Sequence, residues 1–292
     1  MRVRLVDVDS RIPNLALMQI SSWHKSQGDI TGFDTLDPDD VYISCVFSKN
    51  AEQARGISTF YQGSRIHLGG SGINYHDLPE EMQKVFPDYT LYPDNKKSIG
   101  FTTRGCIRSC KFCIVPQKEG KLKRWQHISE FHNSEFKSVM CLDNNILADP
   151  DWFFDNTDYV LENKLKWNPI QGLDIRLLTP EIAERLKQTR LDGCLHFAFD
   201  NLKDEADVIY GIGILKDAGI NLKHDVQFYV LVGFNTTNEE DKYRCRLLKT
   251  NGTNPFVMQY ARTKQTRKLA HWANRKHIFW ACDIDEMNKV KA

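Results

Sequence analysis

The sequence predicts an α/β fold built from two parts, because β-forming runs alternate with helical patterns along most of its 292 residues. Dense apolar and β-branched runs such as residues 40–48 and 226–232 are typical of strands buried in a parallel sheet. Helix-start signals lie between such runs, as where Thr179 precedes Pro180. A chain of this length is typical of about two domains.

Residues 1–95 are predicted to form a small Rossmann-like α/β domain. Its strands are expected over residues 2–8, 40–48 and 65–72, and its helices over residues 14–26 and 50–61. The Pro-containing polar stretch at residues 87–97 is interpreted as a linker to the second part.

Residues 96–261 are predicted to form a partial (β/α)6 barrel of the TIM type. The expected strands are 98–103, 138–142, 170–176, 195–199, 226–232 and 256–260, with helices near 151–165, 180–189, 203–218 and 238–250. In such barrels the functional groups lie on the loops after the carboxyl ends of the strands. Residues 262–292 remain as a basic and aromatic helical extension.

The charge balance and the hydrophobic pattern exclude several classes of protein. Lys and Arg total 39 against 38 Asp and Glu, a net charge of +1 that argues against a globally basic nucleic-acid-binding protein. No apolar run reaches the roughly 20 residues of a membrane-spanning helix. The first residues turn polar at once, unlike a secretory signal peptide. We therefore expect a cytoplasmic protein that has no membrane partner.

Three of the eight cysteines form a cluster: Cys106, Cys110 and Cys113 follow the first barrel strand with the spacing C-x3-C-x2-C. Phe112 stands just before the last of them. Three thiolates can bind three irons of a [4Fe–4S] cube and leave the fourth iron without a protein ligand. A zinc site is the alternative, and it would need a fourth ligand such as His127 or His132.

This motif at the end of the first strand of a partial barrel resembles the radical S-adenosylmethionine (SAM) superfamily over about residues 96–261. The resemblance implies that Cys106, Cys110 and Cys113 ligate the cluster and that SAM chelates the open iron through its amino and carboxylate groups. It implies that a reduced cluster, supplied by a donor such as flavodoxin or ferredoxin, cleaves SAM. The resulting 5′-deoxyadenosyl radical would abstract hydrogen from an unknown substrate. Phe112 would pack beside the cluster, with its backbone near the adenine.

The triplet Asp143, Asn144 and Asn145 follows the second barrel strand, where the superfamily holds the SAM amino group. The Gly-Gly-Glu sequence that the family often uses there is absent, and the triplet instead resembles the branch with cobalamin-type N-terminal domains. The resemblance makes these three residues candidate contacts of SAM or substrate. The alternative is a turn with an Asx cap, because Asp and Asn favour both.

Three further residues are candidate SAM contacts. Strand alternation would place Asp174 and Arg176 on one face of the third strand, and Arg suits a carboxylate such as that of SAM. Otherwise the two residues form a structural pair. Gly233 matches the glycine that the family uses where adenine packs on the fifth strand, and the alternative is a simple strand-exit glycine.

Residues 1–95 resemble the cobalamin-binding domain that precedes many radical SAM barrels. The similarity lies in the strand end Val6–Ser10, the helix start at Pro13 and the late Gly69–Gly70 turn. The Asp-x-His-x-x-Gly motif that brings a His to cobalt is missing, and the domain is shorter by about one strand–helix unit. A degenerate domain that caps the barrel is the favoured interpretation, and a cobalamin-dependent methyltransferase is the alternative.

Residues 261–277 are locally basic and contain Trp272, and Phe279 and Trp280 follow. Basic residues interleaved with aromatic ones can bind single-stranded nucleic acid. A second alternative function is therefore a non-catalytic iron–sulfur or zinc protein that binds nucleic acid through residues 261–280. The simpler interpretation is a helix whose apolar side docks on the barrel.

Overall fold

The computed structural model describes residues 1–287, and the chain divides into two compact units. The first unit comprises residues 1–101, 117–120 and 126–139, and the second comprises residues 102–116, 121–125 and those from 140 onward. The chain first changes units at residue 101, after the boundary predicted near residue 95, and then returns twice to the first unit. Within residues 1–287, no helix combines the length and apolar character that crossing a bilayer requires.

The first unit contains a parallel sheet with helices packed on it. Its strands are β1 (Arg2–Asp7), β2 (Ile30–Gly32), β3 (Asp40–Ser44), β4 (Arg65–Gly69) and β5 (Ser98–Gly100), and its helices are α1 (Leu15–Ser26) and α2 (Ala51–Ser58). The first four strands pair in the order β2-β1-β3-β4, all in parallel. Leu5 of β1 and Leu17 of α1 belong to one buried cluster, and Ile43 of β3 and Ala54 of α2 to another.

The predicted linker at residues 87–97 is packed into the first unit. Tyr89 is 7% exposed, and its hydroxyl donates a 2.6 Å hydrogen bond to the carbonyl of Phe131. The hydroxyl of Tyr92 donates to the carboxylate of Asp7 over 2.7 Å. The linker interpretation is wrong because these two tyrosines bury their rings and satisfy their hydroxyl groups inside the unit.

The rest of the chain continues the alternation of strand and helix. The strands are β6 (Thr103–Arg104), β7 (Lys123–Arg124), β8 (Ser138–Cys141), β9 (Lys166–Pro169), β10 (Arg190–Leu191), β11 (Leu195–Ala198), β12 (Val226–Val232) and β13 (Asn254–Gln259). The helices are α3 (Val115–Lys118), α4 (Pro150–Glu162), α5 (Pro180–Gln188), α6 (Glu205–Asp217), α7 (Leu222–Asp225), α8 (Asn238–Thr250), α9 (Lys264–Ala273) and α10 (Lys276–Ala281).

Two sets of strands form the sheets of the second unit. Strand β9 lies between β8 and β10, and β12 lies between β11 and β13 and pairs in parallel with both. Leu173 forms an isolated parallel bridge with Phe197 of β11. The short strands β6 and β7 make an antiparallel pair. The mixed α/β class and the parallel pairing agree with the prediction from sequence.

The predicted strand at residues 170–176 is wrong. The strand β9 ends at Pro169, and residues 175–177 form a short 3-10 helix that Asp174 caps by accepting a hydrogen bond from the N–H of Arg176. Gly172 has a φ of +139°, a conformation that side chains other than glycine rarely adopt. This turn outweighs the β-forming tendency of the apolar residues around it, so Asp174 and Arg176 do not share a strand face.

The basic C-terminal segment docks on β13 through α9, as the simpler interpretation predicts. Trp272 and Phe279 are fully buried, and the side chain of Asn274 exchanges two hydrogen bonds with the backbone of Val257. Trp280 is half-buried and donates its indole N–H to Asn254. Because the rings of Trp272 and Phe279 are buried, these two cannot serve as a stacking platform for bases, and nucleic-acid binding by this segment stays a prediction.

A buried ion pair joins the carboxyl ends of β11 and β12. Arg244 of α8 is 0% exposed and donates hydrogen bonds to the carbonyls of Phe199 (2.5 Å) and Leu231 (2.8 Å) and to the carboxylate of Asp241 (2.5 Å). The other oxygen of Asp241 accepts the N–H of Gly233 over 3.1 Å. The pair therefore fixes the positions at which the two strands leave the sheet.

We expect Arg244→Met to lower the free energy of unfolding by about 3–5 kcal/mol, because it leaves the carboxylate of Asp241 buried and unpaired. The matched control is Arg246→Met on the same helix. Arg246 is 35% exposed and pairs with Asp283 and Asp285, so its loss should cost about 0–1 kcal/mol. Urea unfolding of both variants measures the difference, and equal losses would contradict the role given to the buried pair.

Candidate functional site

A cavity of about 400 Å³ lies in the second unit. Ala198, the last residue of β11, lines it together with Phe234, Asn235 and Thr236, which follow β12. Parallel α/β sheets bind ligands outside the carboxyl ends of their strands. The volume is within the range of roughly 300–1,000 Å³ that is typical of small-molecule sites. The cavity therefore has the position and the size of a ligand site.

The cysteine loop forms one wall of this cavity through residues 109–112. All three cysteines are free thiols. The backbone N–H of Arg108 donates to Sγ of Cys106 over 3.4 Å, and that of Val115 donates to Sγ of Cys113 over 3.5 Å. These two contacts with the backbone hold the sulfur atoms of Cys106 and Cys113 in place within the loop.

Cys110 is the cysteine that lines the cavity. Partial burial, followed by the nearby Cys113 and Cys106, raises the pKa of its thiol above the ordinary value. Coordination deprotonates a thiol, and the positive charge of a metal group would offset the effects that raise the pKa of Cys110. The donor set therefore fits an iron–sulfur cluster chemically.

A single metal ion fits the described residues less well. Within residues 1–287, no group of three His, Cys, Asp or Glu side chains converges closely enough to hold one ion. A structural zinc site needs four ligands around one ion, whereas each cysteine of a cube binds a different iron. The candidate fourth ligands His127 and His132 belong to the first unit, where they contact Ser129 and Phe136.

Phe112 lines the cavity beside Cys110. Its ring meets that of Phe234 edge to face, with centroids 5.6 Å apart, and Phe234 meets Tyr260 in the same way at 4.7 Å. The aromatic residue of the cysteine motif thus contacts Phe234 after β12, and Phe234 in turn contacts Tyr260 after β13. Phe112 and Phe234 give the cavity an apolar side.

Asp174 and Arg176 form the structural pair that was the alternative interpretation. The carboxylate of Asp174 accepts from Nε of Arg176 over 2.7 Å and from Nε of Arg108 over 2.8 Å. Burial raises the pKa of Asp174, but these hydrogen bonds outweigh it and hold the pKa below its ordinary value. Asp174 thereby ties the cysteine loop to the segment after β9. Arg176 also lines the cavity and reaches Asp204 at 3.4 Å.

Asp143 is buried and does not line the cavity. One carboxylate oxygen accepts hydrogen bonds from the hydroxyls of Thr102 (2.9 Å) and Thr103 (2.8 Å) and from the N–H of Thr103. Its other oxygen and the amide oxygen of Asn145 are buried without a hydrogen-bond partner among residues 1–287. Burial raises the pKa of Asp143 to about 6, although the threonines oppose it. Two buried acceptors that lack donors fit an ammonium group.

Asn144 and Gly233 are the remaining candidate contacts of SAM. Asn144 is half-buried. Gly233 has a φ of +76°, so it makes the turn at the exit of β12, and the three residues after it line the cavity. The turn at the exit of β12 is therefore enough to explain a glycine at position 233, without a contact to a ligand.

The position after the fourth predicted barrel strand makes Asp200 a candidate contact of ribose or substrate, with a helix cap as the alternative, whereas Arg244 and Arg108 were not found from the sequence. Asp200 lines the cavity and accepts the N–H of Leu231 over 2.7 Å, and burial raises its pKa. The Thr237 and Glu240 capping box signals the start of α8, but no sequence pattern reveals that Arg244 points inward. Arg108 likewise gave no signal, because its partner Asp174 lies 66 residues away.

The carboxyl edge of the first unit's sheet is filled by its own side chains. The carboxylate of Asp9 accepts the backbone N–H groups of Val46 (2.7 Å) and Phe47 (3.0 Å) and the amide of Asn50 (2.9 Å). Such N–H groups after a strand are where parallel sheets commonly bind phosphate. A Cβ added at Gly70 would lie 2.4 Å from the carbonyl oxygen of Cys45, so this turn is packed against the neighbouring loop. These residues do not fit cobalamin with its nucleotide tail.

A scan of the sequence against protein-family models matches no family, and a search of curated proteins returns no match. The cavity, the cysteine loop and the contacts between them are therefore what supports a function for this chain.

We expect Asp143→Asn to remove a pH dependence of stability. Because the folded pKa of about 6 lies above the ordinary value of 3.8, the folded chain binds more protons than the unfolded chain between pH 4 and 6. The wild-type free energy of unfolding should therefore fall, relative to the variant, by about 2 kcal/mol as the pH rises from 4.5 to 7. Urea unfolding at pH 4.5 and 7 measures it, and a constant difference would contradict the buried carboxylate.

The chain should purify without a corrinoid after growth with cobalamin. Asp9 already occupies the N–H groups that would bind a phosphate, so we expect no corrinoid absorbance and no cobalt in the wild type. Stoichiometric cobalt in the purified chain would contradict the conclusion that the residues of the first unit do not fit cobalamin.

Proposed function

We propose that this chain is a radical SAM enzyme whose cysteine loop holds a [4Fe–4S] cluster at the wall of the SAM-binding cavity. The observation that supports it most is the C-x3-C-x2-C loop, whose middle cysteine lines a cavity at the carboxyl ends of parallel strands. The free thiols suit a reducing cytoplasm, where we expect the enzyme to work.

The proposal includes a finer description of the fold, a partial (β/α)6 barrel of the TIM type. The parallel bridge between Leu173 and Phe197 supports it, because this bridge relates the segment after β9 to β11. The parallel order β11-β12-β13 supports it too, since consecutive strands are neighbours in such barrels. Residues 1–95 would then be a degenerate cobalamin-type domain that binds no cofactor.

Cys106, Cys110 and Cys113 are the residues that would hold the cluster. When bound and reduced by a donor such as flavodoxin or ferredoxin, the cluster supplies the electron that cleaves SAM to the radical that abstracts hydrogen from substrate. The protein's own contribution is to bind, orient and exclude water. Phe112 and Phe234 exclude water from the cavity next to Cys110.

Charged and polar groups of the second unit would orient SAM. Arg176 lines the cavity as a positively charged group that the carboxylate of SAM could approach, although its guanidinium is already paired with Asp174. Asp143 and Asn145, which the resemblance makes candidate contacts of the ammonium group of SAM, do not line the cavity, and each has a buried oxygen without a partner among residues 1–287. Asp200 in the cavity wall can accept from hydroxyls of ribose or substrate.

Anaerobic reconstitution tests the proposal. We expect about four iron and four sulfide per chain, and SAM-dependent formation of 5′-deoxyadenosine after reduction. Cys110→Ala should abolish cluster assembly, because it removes one of the three ligands. Cys282→Ala is the matched control: Cys282 is buried and lies outside the motif, so its loss should leave the iron content unchanged. A chain that binds one zinc and never cleaves SAM would refute the proposal.

A further inference from the structure

We propose that one exposed side of α9 binds the phosphate backbone of a nucleic acid duplex. This basic face consists of Lys264, Arg267, Lys268, His271 and Arg275, all on the outer side of the C-terminal segment. The proposal goes beyond the radical SAM function, because it concerns a surface and not the cavity.

The fold of α9 separates its basic side chains from its apolar ones. Thr266, Leu269 and Trp272 are buried, whereas Lys264, Lys268 and His271 recur at spacings of three and four residues on the opposite side. At 1.5 Å per residue, the stretch from residue 264 to 271 covers about 10 Å along the helix. Arg275 continues the row, since its guanidinium lies 2.9 Å from the ring of His271.

The basic face has no acidic partner of its own. Residues 261–282 contain no Asp or Glu, and no ion pair joins the basic face to a carboxylate within residues 1–287. Some other cations of the second unit are paired, as Arg246 is with Asp283 and Asp285. The nearly neutral net charge of the whole chain therefore conceals one local row of unpaired positive charge.

This arrangement weakens the helix unless an anion is bound. The first turn of α9 contains Lys264 and no acidic residue, although the positive end of the helix dipole favours anions there. Positive charges three and four residues apart also repel one another. A row of cations is complementary to the regularly spaced phosphates of a nucleic acid strand, which release counterions when such a row neutralises them.

The surroundings of the row favour a duplex over the other polyanions. Trp272 and Phe279 are fully buried, so the segment has no exposed ring from these residues for stacking on single-stranded bases. The apolar side of α9 is docked on β13 and cannot insert into a membrane interface. Binding through phosphates alone should depend on the shape and charge of the duplex and not on its base sequence.

The test is fluorescence anisotropy of the full chain with labelled 20-base-pair RNA and DNA duplexes of arbitrary sequence. We expect binding that weakens steeply with salt, and a loss of at least about tenfold in affinity for Lys264→Glu combined with Lys268→Glu. The slope of log affinity against log salt should fall by about 2 for these two lost contacts. The matched control is Lys166→Glu with Lys216→Glu, the same charge change at exposed sites elsewhere, which should bind like the wild type.

Thermal unfolding separates this role from damage to the fold. Lys264→Glu alone should raise the melting temperature by about 1–3 °C, because a carboxylate suits the first turn of a helix, while it weakens duplex binding. The proposal is overturned if the wild type does not bind duplexes, or if both double variants lose affinity equally. Stronger binding to vesicles of phosphatidylglycerol than to either duplex would overturn it as well.

Discussion

The buried ion pair between Arg244 and Asp241 is the interaction on which the geometry of the candidate site depends. A guanidinium and a carboxylate removed from water need hydrogen bonds to their remaining polar atoms, and here backbone groups supply most of them, although Nε of Arg244 has no partner among residues 1–287. The carbonyls of Phe199 and Leu231 and the N–H of Gly233 are those groups. Asp200, directly after Phe199, and residues 234–236, shortly after Leu231, line the cavity. The ion pair itself does not line the cavity, but it fixes the strand ends that these residues follow and so determines the shape of the cavity.

A second ionic contact brings the cysteine motif to the same cavity. Asp174 accepts hydrogen bonds from Arg176, which lines the cavity, and from Arg108, which lies between Cys106 and Cys110. The turn after β9 and the cysteine loop are therefore held together by one carboxylate. Asp174 and Asp241 thus position the site, while Cys110, Phe112 and Arg176 line the cavity itself.

What the sequence could predict depended on how local each signal is. Residues that are neighbours in the sequence are enough to recognise the cysteine motif, the strand at 226–232 and the helix start at Thr179. The structure has the strand and the helix at these positions. The third strand was misplaced because apolar residues after Pro169 resemble a strand, while Gly172 and Asp174 make a turn. Arg244 could not be found, because a buried arginine is recognisable only from the carbonyls that surround it.

The central claim is that three cysteines hold a cluster with one iron left open for SAM. Electron paramagnetic resonance of the reduced, reconstituted chain, recorded with and without SAM, tests this claim most directly. The account predicts a [4Fe–4S]⁺ signal whose g-values shift when SAM is added, because SAM binds the open iron. An iron–sulfur signal that is identical with and without SAM would contradict it.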